Sequence, residues 1–183
     1  MTAPDPEAQR IRSYLVTQAN RLTIPELVEK MTADALQLRD AAAAVPPADF
    51  NDRPGADEWS AAEVLTHVLE MTERGAESIE GILDHGAIPP RMADQISGET
   101  RSGLQTAADY WQAFTARREL LYARVLGASG DEHLEIPITH PNFGPFSWRE
   151  WLLFMRVHDL DHMRQLQAIT AHFGGAGQSW PPP

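Results

Sequence analysis

"FMRVHDLDHMRQL", residues 154–166, is the stretch that decides how this chain folds. Trp151, Met155, His158, His162, Leu166 and Ile169 recur through and around it at three- and four-residue steps, the period of one helix face. The helix therefore turns two imidazoles toward the same core as its apolar side chains. Residues four apart on a helix have Cβ atoms about 5 to 6 Å apart, close enough for two ring nitrogens to meet one ion at about 2.0 to 2.1 Å each.

Just ahead of this stretch, Ser147 is followed three residues later by Glu150, the capping-box sign of a helix N-terminus. The same sign stands at Thr23 with Glu26 and at Ser60 with Glu63. From Thr23 the positions Leu27, Val28, Met31, Ala35, Leu36 and Leu38 keep helical spacing up to Pro46-Pro47, where a helix must stop. Residues 10–20 read as a shorter helical lead-in. From Ser60, the positions Val64, Leu65, His67, Val68, Met71, Ile79 and Ile82 lead to Gly86 and Pro89-Pro90, with Gly75 and Gly81 as weak points. After a polar stretch, 91–103, a third helix carries Ala107, Tyr110, Trp111, Phe114, Leu121, Tyr122, Val125 and Leu126 up to Gly127. "HLEIPITHPNFGPF", residues 133–146, is β-prone and punctuated by Pro and Gly, which predicts a long loop with a short hairpin. The fourth helix runs from Trp148 to about Phe173.

Four amphipathic helices joined by long connections predict an all-α fold, an antiparallel four-helix bundle that buries all four stripes. Residues 1–22 form the lead-in, 23–173 the bundle, and 174–183 a Gly/Pro tail that is either loose or packed as an arm on a neighbouring chain.

Composition narrows the function. The length of 183 residues suits one domain, and no apolar run approaches the roughly 18 residues that span a membrane. The opening "MTAPDPEAQR" has two acids before its first basic residue, unlike a secretory signal, so a soluble cytoplasmic protein is expected. There is no cysteine, which excludes disulfides, thiolate ligands and a cysteine nucleophile; any metal must sit on nitrogen and oxygen. The formal charge of −11 and the lack of a basic stripe argue against nucleic acid as a partner.

His67 lies on the stripe of Val64, Val68 and Met71, so a third imidazole points into the bundle, where packed helices sit about 8 to 10 Å apart. Three buried neutral imidazoles without an ion would need three separate hydrogen-bonding partners. His67, His158 and His162 are therefore the expected ligands of a divalent metal ion. Asp159 and Asp161 flank the pair and read first as solvated helix surface, with orientation of an imidazole as the alternative. Glu70, one turn beyond His67, carries the same two readings. His140, in the loop before the last helix, is either a surface residue or a group approaching the open side of the ion. His85, His133 and His172 look peripheral. Trp59, Trp111, Trp148 and Trp151 read as core and pocket wall, and Gly75 either leaves a hollow beside the metal or permits close helix packing.

The segments "DEWSAAEVLTHVLE" (57–70) and "SWREWLLFMRVHDLDHMRQL" (147–166) resemble the DinB family, four-helix bundles in which three histidines hold a divalent ion. The resemblance covers residues 24–173 and implies that His67, His158 and His162 are the ligands. It also implies a homodimer, which the apolar surface of a bundle this size suits. Three protein nitrogens leave a coordination position open, the mark of a catalytic site, and zinc, nickel and iron(II) all accept such a set. Some proteins that look like this one transfer or isomerise small molecules with a low-molecular-weight thiol such as bacillithiol or mycothiol, which a chain without cysteine would have to import. A metal-dependent S-transferase acting on an electrophilic small molecule is the first expectation. A hydrolase, with Glu70 or His140 as general base, is the second, and a non-catalytic metal-binding bundle the third.

Overall fold

A computed structural model describes residues 6–90 and 100–175. Five helices follow one another: α1 (Pro6–Arg21), α2 (Ile24–Ala44), α3 (Ala61–His85), α4 (Ala107–Leu126) and α5 (Trp148–Gly175). A 3-10 turn at Pro47–Asp49 follows α2, and a two-stranded antiparallel hairpin, β1 (Ile138–His140) with β2 (Gly144–Phe146), precedes α5. The expected all-α bundle is present, with the hairpin where the Pro/Gly-rich segment suggested one. The lead-in is longer than the sequence indicated, a full helix whose Leu15 and Ala19 enter the core. The polar stretch 91–99 and the tail from 176 lie outside the described residues.

Helix starts follow local chemistry. Thr23 and Ser60 each accept the backbone N–H three residues on while Glu26 and Glu63 reach back to the cap, so both capping boxes form. Ser147 and Glu150 exchange the same pair of bonds, at 3.4 and 2.8 Å. A fourth box, Thr106 with Asp109, opens α4. At the other end of α3, Gly86 takes the left-handed conformation at φ 59°, and the N–H of Ala87 then reaches back to the Gly81 carbonyl. Gly75 and Gly81 do not interrupt the helix.

Each of the four long helices packs against two others, α2 against α5 and α4, and α3 against α5 and α4. Their buried side chains divide into two apolar clusters along the bundle. One gathers Leu15, Leu27, Met31, Ile79, Trp148 and Trp151, and the other Leu38, Phe50, Val64, Tyr110, Leu166 and Ile169. On α5 the first cluster runs to Met155 and the second resumes at Met163, so His158 and His162 occupy the joint between them. Arg12 on α1 donates to the carbonyls of Phe143 and Pro145 at 2.8 and 2.7 Å, and its guanidinium lies over the Phe146 ring, which fastens α1 to the hairpin. Among the described residues no helix is long and apolar enough to cross a membrane.

Ser60 is buried at the start of the helix that carries His67, so its cap has no water to replace it. Ser60→Ala is expected to lower the unfolding free energy by about 1 kcal/mol, which urea denaturation followed by circular dichroism will measure. An unchanged midpoint and slope would contradict that assignment.

Candidate metal centre

His67 sits in the second turn of α3, and His158 and His162 stand on consecutive turns in the middle of α5. The folded bundle brings all three together. The His158 Nε2 atom lies 3.0 Å from His67 Nε2 and 3.2 Å from His162 Nε2, and one ligand atom from each residue falls within 4.8 Å of the others. The Nδ1–H of His162 donates to the side-chain amide oxygen Oε1 of Gln165 at 2.9 Å, so the Nε2 of the neutral ring presents a lone pair to the cluster. A neutral His158 can make one linear hydrogen bond through its single Nε2, yet two nitrogens face it. At least one of the two contacts is therefore left without a linear hydrogen bond, and a cation between the three nitrogens would satisfy them together. Three nitrogens bound at about 2.0 to 2.1 Å around a tetrahedral ion stand about 3.3 to 3.4 Å apart, and the two contacts of His158, at 3.0 and 3.2 Å, are close to that spacing. The donor set, all nitrogen with no carboxylate in the group, can hold a divalent metal ion of the zinc, nickel or iron(II) kind.

Burial keeps these rings neutral. His67 is lowered to about 4 by burial first, then by the neighbouring His162 and by Arg74. His158 is lowered well below the usual range by burial and by its two imidazole neighbours, and His162 is lowered by burial against the opposing pull of Gln165. Near neutral pH all three lone pairs are available without displacing a proton.

Trp59, the residue before the Ser60 cap, lies parallel to His162 at 6.4 Å and presents an edge to His67 at 5.3 Å. It forms one wall of a cleft of about 540 Å³ whose lining also includes Asp57, Glu58, His162, Gln165 and His172. That volume lies within the range of small-molecule sites. His172, which looked peripheral, lines this cleft because α5 continues past His162 along its wall.

The other residues singled out from the sequence fall around the trio. His140 stands on β1 outside it, its ring 4.8 Å from both Phe143 and Phe154, with Nδ1 accepting the backbone N–H groups of Asn142 and Phe143 at 3.1 and 3.3 Å. Glu70 is half-buried on α3, where its charge acts on Arg101. Asp161 is exposed, as a solvated face requires, but Asp159 is not on such a face: it is 2% exposed and bound by Arg118. Burial pushes its carboxyl up to about 6 even against the Arg118 guanidinium. Neither Gln165 nor Arg118 was picked out from the sequence. Gln165 had a usable signal, three residues beyond His162 and hence on a neighbouring face of the same helix. Arg118 had one as well, since it stands four residues after Phe114 and three before Leu121 and so falls on the apolar stripe of that helix; the periodicity does not say which group it meets there.

Gly75 resolves as close packing. A Cβ there would lie 2.8 Å from Trp151 Nε1 and 3.0 Å from Met155 Sδ, against the helix that bears His158 and His162. Gly75→Ala is expected to destabilise the protein by about 1 to 3 kcal/mol through overpacking, outweighing the roughly 1 kcal/mol helix-propensity gain. Thermal melting checks the sign.

With a chelator present, the histidines also set a pH dependence. Between 6.5 and about 4 the unfolded chain protonates His67 while the folded chain does not, and the other two depressed rings act in the same sense. Asp159, with a raised pKa, works the opposite way, one group against three. The metal-free chain is expected to lose stability as pH falls from 7 to 5, and denaturant midpoints that stay level would contradict it.

"Uncharacterized protein YuaE" of Bacillus subtilis (strain 168) is 25% identical over 133 residues, a span covering 66% of this chain and 82% of that protein. The family model of the DinB superfamily matches residues 24–166, from the first residue of α2 to one turn past His162, and so encloses all three histidines. The chain belongs to the DinB superfamily.

Proposed function

We propose that His67, His158 and His162 hold one divalent ion and that the chain is a metal-dependent enzyme in which a small thiol attacks an electrophilic small molecule. The observation that carries this reading is the convergence of three neutral imidazole nitrogens where Trp59 and His162 wall a cleft of about 540 Å³. An ion held there supplies Lewis acidity, which lowers the pKa of a bound thiol or water so that an anionic nucleophile is present near neutral pH. His67 contributes its nitrogen from α3 and the other two rings from α5, so the ligand set forms only when these helices are packed. Gln165 holds the His162 tautomer. The Trp59 indole offers a flat apolar wall against which a substrate ring or chain can lie.

The chain has no cysteine, so a thiol nucleophile has to arrive as a second substrate. Water is the alternative nucleophile, and it draws support from Asp57 and Glu58, whose carboxylates border the same cleft and can take up its proton.

Elemental analysis of the purified protein is expected to find one zinc, nickel or iron per chain. His67→Ala and His158→Ala should each weaken binding by more than about 100-fold, beyond the loss from a missing outer-shell partner. Turnover of small thiols with an electrophilic chlorodinitrobenzene, measured before and after chelation, tests the activity. Ester hydrolysis without thiol dependence would favour water as the nucleophile. Metal-dependent melting with neither turnover would leave the ion as an internal staple and overturn the enzymatic reading.

A further inference from the structure

The side chains of Arg118 and Asp159 are each 3% exposed, and together they form an ion pair in the joint between the two apolar clusters. Arg118 Nη2 donates to both Asp159 oxygens, at 3.1 and 3.0 Å, and to Thr72 Oγ1 at 3.2 Å. Its Nε donates to the same Thr72 oxygen at 3.3 Å, its Nη1 reaches the Tyr122 hydroxyl at 3.4 Å, and the guanidinium lies over the Phe114 ring. One planar group on α4 thus grips α3 and α5 together. Those are the helices that carry the ligands, with Thr72 five residues beyond His67 and Asp159 immediately after His158.

Stability does not explain this arrangement. A buried pair replaced by well-packed apolar residues is often neutral or stabilising, because removing two charges from water offsets their attraction. What the pair adds is direction. Apolar contacts tolerate sliding, whereas a guanidinium with fixed N–H vectors engages Thr72 and Asp159 together only at one axial offset of α3 against α5. The other α4 arginines that reach α3, Arg117 with Glu80 and Arg124 with Asp84, form less buried pairs, and neither pair includes an α5 residue. A metal site tolerates only about 0.2 Å in ligand distance, so that offset matters to the site far more than to the core.

We infer that Arg118 is a positioning residue for the three-histidine centre, fixing through Thr72 and Asp159 the register of α3 against α5 at which His67 meets His158. This rests on the reading of the trio as a metal site. The test uses two variants of the full chain: Arg118→Met with Asp159→Leu, which removes both charges together, and Thr72→Val, which cuts the link to α3 at constant shape. Three quantities are measured: melting temperature without metal, zinc affinity by chelator competition, and the visible absorption of the cobalt(II)-loaded protein.

The double variant is expected to melt at or above the wild-type temperature without metal, while binding zinc at least about tenfold more weakly, the loss typical of a disturbed outer shell. Its cobalt bands should shift and weaken. Thr72→Val should show a smaller change of the same sign. Wild-type zinc affinity and cobalt bands in both variants would overturn the inference, as would a fall in melting temperature with affinity intact. If the double variant fails to fold, Thr72→Val decides alone by its zinc affinity. If the wild-type chain takes up no ion, the metal reading fails, and the register is then judged by crystallography. In Thr72→Val, His67 and His158 Nε2 atoms still 3.0 Å apart would overturn the inference, and a separation wider by more than about 1 Å would support it.

Discussion

A polar layer crosses the middle of an otherwise apolar bundle, and the site depends on how that layer is held. Thr72, Arg118, His158 and Asp159 all lie between the two hydrophobic clusters, one of which ends on α5 at Met155 while the other begins at Met163. Unpaired polar groups at such depth cost several kcal/mol each, so the layer persists only if its members satisfy one another. Arg118 and Asp159 do so through charge and geometry together. The imidazoles do so incompletely, because two nitrogens face the single Nε2 of His158, which can form a linear hydrogen bond with only one of them. That shortfall, in a layer otherwise well paired, leaves the trio a group that could hold a metal ion.

Much of this was legible in the sequence, and the limits have physical reasons. The inward pair on α5 and the inward His67 follow from a 3.6-residue period that needs no tertiary knowledge. Helix starts at Thr23, Ser60 and Ser147 follow from local hydrogen bonding between residues three apart. The start of α4 was less visible because Asp109, rather than Glu, closes its box with Thr106. Asp159 was misread because it lies one residue, about 100° of helix rotation, off the His158 stripe, and only the approach of α4 decides whether that direction meets water or a guanidinium. Pairing across helices is not encoded in the periodicity of either one. The extent of α1 was hidden for a similar reason. Its apolar positions are sparse, and it is held largely by contacts distant in sequence, such as Arg12 with the hairpin carbonyls.

The first half of α5 is locked by aromatic packing before it reaches the histidines. Phe146 and Trp151 meet at 6.1 Å and Trp151 and Phe154 at 5.1 Å, and Phe154 in turn lies 6.5 Å from the His158 ring. The Trp148 indole donates to the Glu132 carbonyl, and Arg149 donates to carbonyls of Ala19, Leu22 and Gly130. The hairpin, α1 and the loop after α4 thus all bear on the entry of one helix. A segment remote from the cleft thereby acts on the site, because it sets the direction in which α5 carries its two imidazoles.

Each ring of the trio then has its own restraint. His158 follows Phe154 by one turn and precedes the anchored Asp159; His162 is held by Gln165 and faced by Trp59; His67 meets the edge of the same indole. Rings held this way lose little freedom when a ligand joins them, and that preorganisation is worth more to a coordination site than to a core whose apolar contacts are non-directional. Apart from Trp59, the restraints come from packed helices, whereas the wall of the cleft at Asp57 and Glu58 comes from the exposed segment between the 3-10 turn and α3. On the proposed function the bundle would divide its labour: the restrained trio would fix where a bound atom sits, and the more exposed rim, including the His172 end of α5, would govern what larger molecule can reach it.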